Sequence, residues 1–379
     1  MTSIERIKWM YQLDIPMPKE WNREEILRLY ETYEFGVTPS FSSENTDFSV
    51  DSEEITDFGA VCKKISVVLK REGKEYSYPI TLYHPEGKEK SPAFLMVTKQ
   101  LLLDRYHFME EGDTGFFPVQ SLIQRGYAAI VLNIDGVARD NQEDFEDFKD
   151  GLYRFLDIQE SDDSIGAIGL WAFSACRVMD CLERMPEIDA TRVAVVGHSR
   201  FGKTALWAGA QDERFYLSVS NNSGCGGAAN FRIKGGERIA FMKEVVPYWF
   251  CKNYYQFAFQ EEKLPFDQHM LIGLMAPRYV YVASSNMDYW ADPDAEFIST
   301  MLASEIFKKV CGEESFDATE IPPADSAVFG NHIAYHVKSG GHSLNYVDWE
   351  YYLDYMDEIN RKKREYKKVR DAKRLNHPS

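Results

Sequence analysis

The stretch Val193-Ala194-Val195-Val196-Gly197-His198-Ser199-Arg200-Phe201-Gly202-Lys203-Thr204-Ala205 decides the fold. Its first four residues are apolar and mostly β-branched, which predicts a short buried strand. Good helix formers dominate residues 203–210, which predicts a helix there. Ser199 therefore lies in a tight turn between a strand and a helix, with small residues at Gly197 and Gly202 to relieve crowding. Such a turn exposes a serine hydroxyl above a sheet, so Ser199 is a candidate nucleophile.

The rest of the chain alternates between strand and helix patterns. Apolar runs predict strands at 93–97, 128–134, 217–219, 279–283 and 333–337. Helical spacing predicts helices through Phe145, Phe148, Leu152 and Leu156, over 168–182, and near 347–358. Strands that are buried on both faces and separated by helices indicate an α/β fold, with a mainly parallel, doubly wound sheet and helices on both faces.

The N-terminal part of the chain has a different pattern. Asn22 is a good helix N-cap, and an apolar helix face follows it until Gly36 and Pro39 end the helix. Between about 48 and 98 apolar residues alternate with polar ones, which predicts antiparallel strands at an edge of the sheet.

Composition limits the classes of function. The 379 residues carry a net charge of −17, which repels phosphate backbones, so we expect no nucleic-acid binding. Residues 361–374 include nine Lys/Arg, interpreted as a solvated terminal helix or a tail on an acidic body. No run of 18 apolar residues predicts a membrane span. We expect one domain over residues 1–379, with an N-terminal helical and β extension (about 1–90) and a basic C-terminal helix or tail (361–379).

The cysteines indicate neither a metal site nor a redox site. None of the six occurs in a CxxC motif or at metal-like spacing with histidine, so we expect no metal and no cofactor. Cys225 is interpreted as a packing residue, and the sequence leaves open whether it pairs with Cys251. Charged residues interrupt the first twenty positions, so the chain as written is expected in the cytoplasm, or to be secreted if a leader is removed. We expect a monomer.

A serine nucleophile needs a base and an orienting carboxylate. His342 follows the last predicted strand, where an α/β-hydrolase has its base, whereas His336 lies within that strand and is interpreted as a core residue. Asp288 follows the preceding strand of the series, and Asp292 is the alternative acid, although it also fits a turn or helix cap. The order Ser199, Asp288, His342 is that of the α/β-hydrolase fold and predicts a serine hydrolase.

The sequence around Ser199 resembles the G-C/H-S-R-x-G-K-x-A signature of carbohydrate esterase family 15, the glucuronoyl esterases. In place of the more general G-x-S-x-G pattern, Phe201 stands where the second glycine would be. Further matching stretches are 222–228, Gly236-Glu237, 248–251, 264–269 and 290–293. The similarity is dense from about 190 to 350 and weaker upstream.

The resemblance implies hydrolysis of 4-O-methyl-glucuronate esters, the linkage thought to join glucuronoxylan to lignin alcohols. It implies that Ser199 attacks the C6 carbonyl and that His342 transfers the proton. Arg200 would bind the oxyanion through its backbone N–H and its guanidinium. The residues that the resemblance implies for sugar binding are Lys203, Glu237 and Trp290.

One departure from the family pattern leaves alternatives open. Many members have a glutamate two residues before Gly224, where this chain has Asn222. Asparagine orients an imidazole but does not stabilise its cation by charge. Asp288 lies where other members carry the acid, and we expect the acid there. The alternatives are an esterase of acetylated sugars or other small esters, and a non-catalytic sugar-binding relative; the expected ligand is a small-molecule or oligosaccharide uronate ester.

Overall fold

The computed structural model describes residues 14–87, 90–105, 115–233 and 235–376, with side chains described as far as residue 365. Within these ranges the strands are β1 (Thr46–Ile55), β2 (Ala60–Arg71), β3 (Lys74–Pro85), β4 (Ser91–Thr98), β5 (Ala128–Asn133), β6 (Ile188–His198), β7 (Leu217–Asn221), β8 (Tyr279–Ser285), β9 (Ser326–Phe329) and β10 (Ile333–Lys338). The α-helices are α1 (Arg23–Tyr30), α2 (Gln100–Arg105), α3 (Val119–Gln124), α4 (Leu152–Phe155), α5 (Ala167–Leu182), α6 (Arg200–Gln211), α7 (Ile239–Val245), α8 (Gln268–Gly273), α9 (Pro293–Cys311) and α10 (Tyr346–Asn376).

All ten strands form one sheet in the order β1-β2-β3-β5-β4-β6-β7-β8-β10-β9. The run from β5 through β4, β6, β7 and β8 to β10 is parallel throughout. The first three strands are antiparallel and form one edge, and β9 pairs antiparallel with β10 at the other edge. The predicted mainly parallel sheet with an antiparallel N-terminal edge is therefore confirmed. The continuity of the sheet favours the single domain, which stays a prediction.

Helices cover both faces of the sheet, because successive side chains of a strand point to opposite sides. In β4, Leu95 and Val97 join a cluster that includes α5, α6 and α9, whereas Phe94 and Met96 join a cluster that includes α3 and α10. All four side chains are buried. The doubly wound arrangement places the carboxyl ends of the parallel strands at one edge, where ligand sites of open α/β sheets form.

The helix predicted through Phe145 and Leu156 is wrong. The chain there forms a 3₁₀ turn (Asp147–Lys149) and the single turn α4. Gly151 interrupts the helix, because its φ of 77° is left-handed and a Cβ there would lie 2.6 Å from the Tyr76 hydroxyl. Because Tyr76 lies in β3, far away along the chain, the spacing of apolar residues between 145 and 156 does not indicate this contact with Gly151.

The C-terminal helix is longer than the predicted 347–358. As α10 it continues to Asn376, so the basic stretch that begins at residue 361 is helical as far as it is described. The strand β9 had no counterpart among the predicted elements.

Candidate active site

Ser199 lies in a sharp turn between β6 and α6. Its φ of 60° and ψ of −126° are unusual for a residue with a side chain and match the strained turn that the sequence predicts. A Cβ at Gly197 would lie 1.9 Å from the Phe201 carbonyl oxygen, so only glycine fits there. Arg200 begins α6, and its N–H is among the helix amides that have no partner within the helix. The N-terminus of α6 is therefore suited to bind an anion beside Ser199.

His342 and Asp288 form a hydrogen-bonded pair. Nδ1 of His342 lies 2.6 Å from Oδ2 of Asp288, in the loops that follow β10 and β8, which are neighbours in the sheet. Burial would raise the pKa of the Asp288 carboxyl, but the hydrogen bond and the charge of His342 outweigh burial and lower it. The carboxylate therefore stays ionised at neutral pH.

Asp292, the alternative acid, caps a helix. It is the N-cap of α9, where its Oδ1 accepts a hydrogen bond from the Ala295 N–H at 3.2 Å. Within the described ranges, Asp288 contacts His342 and Asp292 does not.

Ser199 and His342 line one cleft with a volume of about 300 Å³. In the part of the chain that the structure describes, the Ser199 hydroxyl has no hydrogen bond to the imidazole. Catalytic hydrogen bonds are often long without substrate and tighten in the complex. The structure thus brings the predicted nucleophile, base and acid to one edge of the sheet.

A buried network holds the loop that carries His342. Asp348 accepts hydrogen bonds from His336 at 2.9 Å and from the Lys338 ammonium at 2.8 Å. Lys338 also donates to the carbonyl of Ser343, the residue after His342, at 2.6 Å. His336 is fully buried, which confirms that it is a core residue. The network anchors the backbone next to His342.

The imidazole ring of His198 lies against that of His342. The ring centroids of His198 and His342 are 4.5 Å apart, and His198 Nδ1 lies 2.7 Å from the Asn221 amide oxygen. Burial, with a smaller effect of His342, lowers the pKa of His198 to about 3. His198 is therefore neutral and does not oppose a positive charge on His342. No role for His198 was predicted from the sequence.

Arg200 is held in place by Asp140, which the sequence analysis missed. Its guanidinium pairs with the Asp140 carboxylate and lies over the Trp249 ring, 4.5 Å from the centroid. Asp140 also accepts hydrogen bonds from Lys99 at 2.7 Å, from the Tyr248 hydroxyl at 2.7 Å and from the Trp249 indole at 3.0 Å. Burial would raise the pKa of Asp140, but the cations Arg200 and Lys99 lower it to about 2.

Lys203 and Glu237 form a buried ion pair at the cleft. The Lys203 ammonium donates to Glu237 Oε2 at 2.7 Å and to the carbonyls of Ser223 and Cys225 at 2.6 Å each. An ammonium has three protons, so these contacts use all of them. The structure gives Lys203 the role of holding Glu237, whose other carboxylate oxygen has no hydrogen bond within the described ranges.

Trp290 lies at the mouth of the cleft. Its side chain is about half exposed, and its ring packs edge-on against Phe241 with centroids 4.7 Å apart. Trp290 and Phe241 both line the cleft. The pair offers an apolar surface on the side of the cleft next to Glu237, because the Glu237 N–H donates to the Trp290 carbonyl at 2.8 Å.

Asn222 lines the cleft, and in the described part of the chain its side chain forms no hydrogen bond to His342. Its amide donates to the Ser285 hydroxyl at 2.9 Å and to the Ser343 carbonyl at 3.3 Å. The position where many family members have a glutamate therefore supports the loop backbone in this chain, and Asp288 is the carboxylate that contacts the imidazole.

Glu296, in α9, was also missed by the sequence analysis. It is fully buried and accepts hydrogen bonds from the Ser223 N–H at 2.7 Å and the Gly224 N–H at 3.0 Å, in the turn that lines the cleft. Its other carboxylate oxygen accepts from the Ser284 hydroxyl at 2.6 Å. Burial raises the pKa of Glu296 to about 7. Its position among the apolar residues of α9 is the signal that points to a buried carboxyl.

The six cysteines are free thiols, which answers the open question about Cys225 and Cys251. Among the described residues, no group of three His, Cys, Asp or Glu side chains is arranged to hold a metal ion. Within the same ranges, no helix is both long and apolar enough to cross a bilayer.

Comparison with known proteins identifies the family. The family model described as "Glucuronyl esterase, fungi" matches residues 67–311, more than half of the chain. The chain belongs to the glucuronyl esterase family. As a member of this family it is a carboxylic ester hydrolase, and the predicted family and enzyme class are confirmed.

Individual glucuronyl esterase relatives agree with this assignment. A carbohydrate esterase from an unknown prokaryotic organism is 31% identical, with 89% of this chain and 85% of the relative covered. A 4-O-methyl-glucuronoyl methylesterase from Hypocrea jecorina is 30% identical over 72% of this chain, which spans only 54% of that relative. The solved structure of the glucuronoyl esterase from Solibacter usitatus is 30% identical, covers 88% of this chain and 91% of its own, and superposes with a TM-score of 0.80. The α/β-hydrolase fold is therefore confirmed.

Proposed function

We propose that this chain hydrolyses esters of glucuronate, including 4-O-methyl-glucuronate, through a serine-bound acyl intermediate. The observation that carries the proposal is the 2.6 Å hydrogen bond between His342 and Asp288 in the cleft that Ser199 also lines. The names of the fungal methylesterases and of the Solibacter enzyme support the substrate class.

The reaction has two halves. Ser199 Oγ attacks the C6 carbonyl carbon, and His342 takes the hydroxyl proton, while Asp288 stabilises the resulting imidazolium. When the tetrahedral intermediate collapses, the carbon–oxygen bond to the alcohol breaks and His342 gives its proton to the leaving oxygen. Water then attacks the acyl-enzyme with His342 as the base, which releases glucuronate and restores the serine.

Arg200 stabilises the negative charge that develops on the carbonyl oxygen. Its backbone N–H at the start of α6 and its guanidinium are both donors, and a charge-assisted donor is stronger than a neutral one. The guanidinium needs little reorganisation during the reaction, because Asp140 and Trp249 already hold it.

Glu237 accepts a hydrogen bond from a sugar hydroxyl, and Trp290 covers the uronate ring. In this proposal Lys203 acts through Glu237, since its three protons are donated within the protein. A uronate ester attached to a lignin alcohol in glucuronoxylan is the natural linkage that the family resemblance implies.

The test is turnover of benzyl D-glucuronate by the chain and by Ser199→Ala. We expect kcat to fall by roughly 10⁴-fold or more in the variant, because removal of a triad nucleophile leaves only the binding contributions. Thermal unfolding of both proteins shows whether the variant folds. Faster turnover of p-nitrophenyl acetate than of the glucuronate ester would favour the acetyl-sugar esterase. Binding of glucuronate without acylation by a serine-reactive phosphonate would favour the non-catalytic relative.

A further inference from the structure

A second cavity, with a volume of about 590 Å³, lies next to the ester cleft. The two spaces share the segment 245–250 as a wall. Val246 and Trp249 line the ester cleft, whereas Pro247, Tyr248 and Phe250 line the second cavity. None of the residues in the proposed reaction lines this cavity. Its size is within the range of pockets that bind small organic molecules.

One wall of the second cavity is a stack of aromatic rings. The Tyr248 ring contacts both Phe145 and Phe148, with centroid distances of 5.7 and 5.8 Å and interplanar angles of 28° and 29°. The Tyr248 hydroxyl is bonded to Asp140, so the ring is held in a fixed orientation. Phe145 leaves 37% of its surface exposed. Near-parallel rings with an open side are a stacking surface for another planar ring.

Positive charge lies at the rim of this cavity. Among the described residues, three lysines and two glutamates line it, and Lys149 pairs with both Glu146 at 2.6 Å and Glu160 at 2.7 Å. Lys243 and Lys252 are exposed, and neither forms a salt bridge in the described part of the chain, although Lys252 contributes to the field at Glu160.

The rim therefore has one more cation than anions, on a chain whose net charge is −17. An ammonium group on a flexible stem is a good partner for a carboxylate at the mouth of an apolar pocket. The charge at the rim complements a ligand that is apolar at one end and anionic at the other.

We infer that the second cavity binds a planar aromatic carboxylate, with its ring on the Phe145–Tyr248–Phe148 stack and its carboxylate at Lys243 and Lys252. A saturated sugar acid matches the charge of the rim but has no flat ring to stack against the wall. Binding here needs no direct contact with a residue of the proposed reaction, since none of them lines the second cavity.

The test is calorimetric titration of the full chain with trans-cinnamate at low ionic strength. Saturating D-glucuronate is present, so that the ester cleft is occupied. We expect a Kd of about 0.1–1 mM, as is reasonable for a ligand of this size. The saturated analogue 3-cyclohexylpropanoate has the same charge, and cinnamyl alcohol has the ring without the charge. Each is expected to bind at least about tenfold more weakly, since one lacks the stacking and the other the ion pairing.

Variants of residues that line the second cavity test whether cinnamate binds there. Lys243→Gln/Lys252→Gln is expected to weaken cinnamate binding about fivefold to tenfold, as for two exposed ion pairs. Phe145→Leu, which removes the exposed ring, is expected to weaken it by a similar factor. Lys308→Gln is the matched control, because this exposed lysine of α9 does not line the cavity.

Three results would overturn the inference: equal binding of 3-cyclohexylpropanoate and cinnamate, cinnamate binding unchanged in the Lys243/Lys252 and Phe145 variants, or displacement of cinnamate by glucuronate. Each is a binding result. Failure here is therefore distinguishable from failure of the proposed esterase activity, which is read from turnover of benzyl D-glucuronate.

Discussion

The two sides of the ester cleft hold their charged groups differently. On one side, the His342 side chain is 39% exposed, and within the described ranges the side chain of its partner Asp288 accepts one further hydrogen bond, from the Ala291 N–H at 3.2 Å. On the other side, the Asp140 side chain is completely buried and accepts hydrogen bonds from four side chains of the described residues. In the proposed reaction His342 transfers protons, and such a group needs partners that allow both of its charge states. A group that holds a cation in place is best kept in one charge state, so its carboxylate is saturated with donors.

The largest effect is expected from Asp288→Asn, which removes the negative charge beside the base. We expect kcat for benzyl D-glucuronate to fall about 10⁴-fold, because the imidazolium loses its stabilising partner and the imidazole its correct tautomer. Asp292→Asn is the matched control. Asparagine is as good an N-cap as aspartate, so kcat is expected to change by less than about threefold. Equal losses of kcat in the two variants would contradict the assignment of Asp288 rather than Asp292 as the acid that assists His342.

A smaller effect is expected from Asp140→Asn, on the saturated side of the cleft. Arg200 loses its ion pair, and we expect kcat to fall about 10²-fold with a smaller change in KM, as for the loss of one preorganised oxyanion donor. Asp147→Asn, in the chain segment that follows Asp140, is the control and is expected to leave kcat nearly unchanged. If Asp140→Asn changes the unfolding temperature but not kcat, Asp140 has a structural role only.

The smallest effect is expected from Glu296→Gln, and it is an effect on stability. This variant tests a buried carboxyl that has no salt bridge to a cation within the described ranges. The pKa of Glu296 is raised to about 7, so the folded state holds the proton at pH values where the unfolded state has released it. The free energy of unfolding is therefore expected to decrease between about pH 4.5 and pH 7, by roughly 1–3 kcal/mol.

Glutamine resembles the protonated side chain, so this decrease is expected to be absent from Glu296→Gln. Denaturant unfolding of both proteins at pH 5 and pH 8 measures it. The contribution of Asp140 to the pH dependence of stability has the opposite sign. Its lowered pKa stabilises the fold at pH values above the pKa of aspartate in the unfolded chain, and this stabilisation is lost only as the pH falls towards 2. The same pH dependence in the wild type and Glu296→Gln would contradict the assignment to Glu296.

The predictions that succeeded rest on local patterns and on chain order. The turn at Ser199 has its own signature, because strand, small residues and helix follow one another directly. The contact between Asp288 and His342 was expected because each follows a predicted strand, and the carboxyl ends of parallel strands meet at one edge of the sheet; their catalytic roles stay predictions. The same reasoning could have drawn attention to Asp140, which follows the apolar run at 128–134 by a few residues.

The predictions that failed, or were never made, depend on contacts between distant parts of the chain. The helix at 145–156 is interrupted because Gly151 packs against Tyr76. Asp348 and Glu296 are buried carboxyls whose partners come from other strands and loops. Lys203 matched the family motif, but only the folded chain shows that its three protons are donated within the protein.

The sequence by itself determined the class of fold, the serine turn, the order of the three candidate catalytic residues and the family. These depend on the hydrophobic period and on residues that are close along the chain, where sterics and hydrogen bonding act directly. Only the tertiary structure decided that Asp288 rather than Asp292 contacts the base, that Asp140 holds Arg200, and that an aromatic cavity lies behind the wall of the cleft. Burial and ion pairing depend on which groups the fold brings together, and the spacing of residues along the chain does not specify those partners.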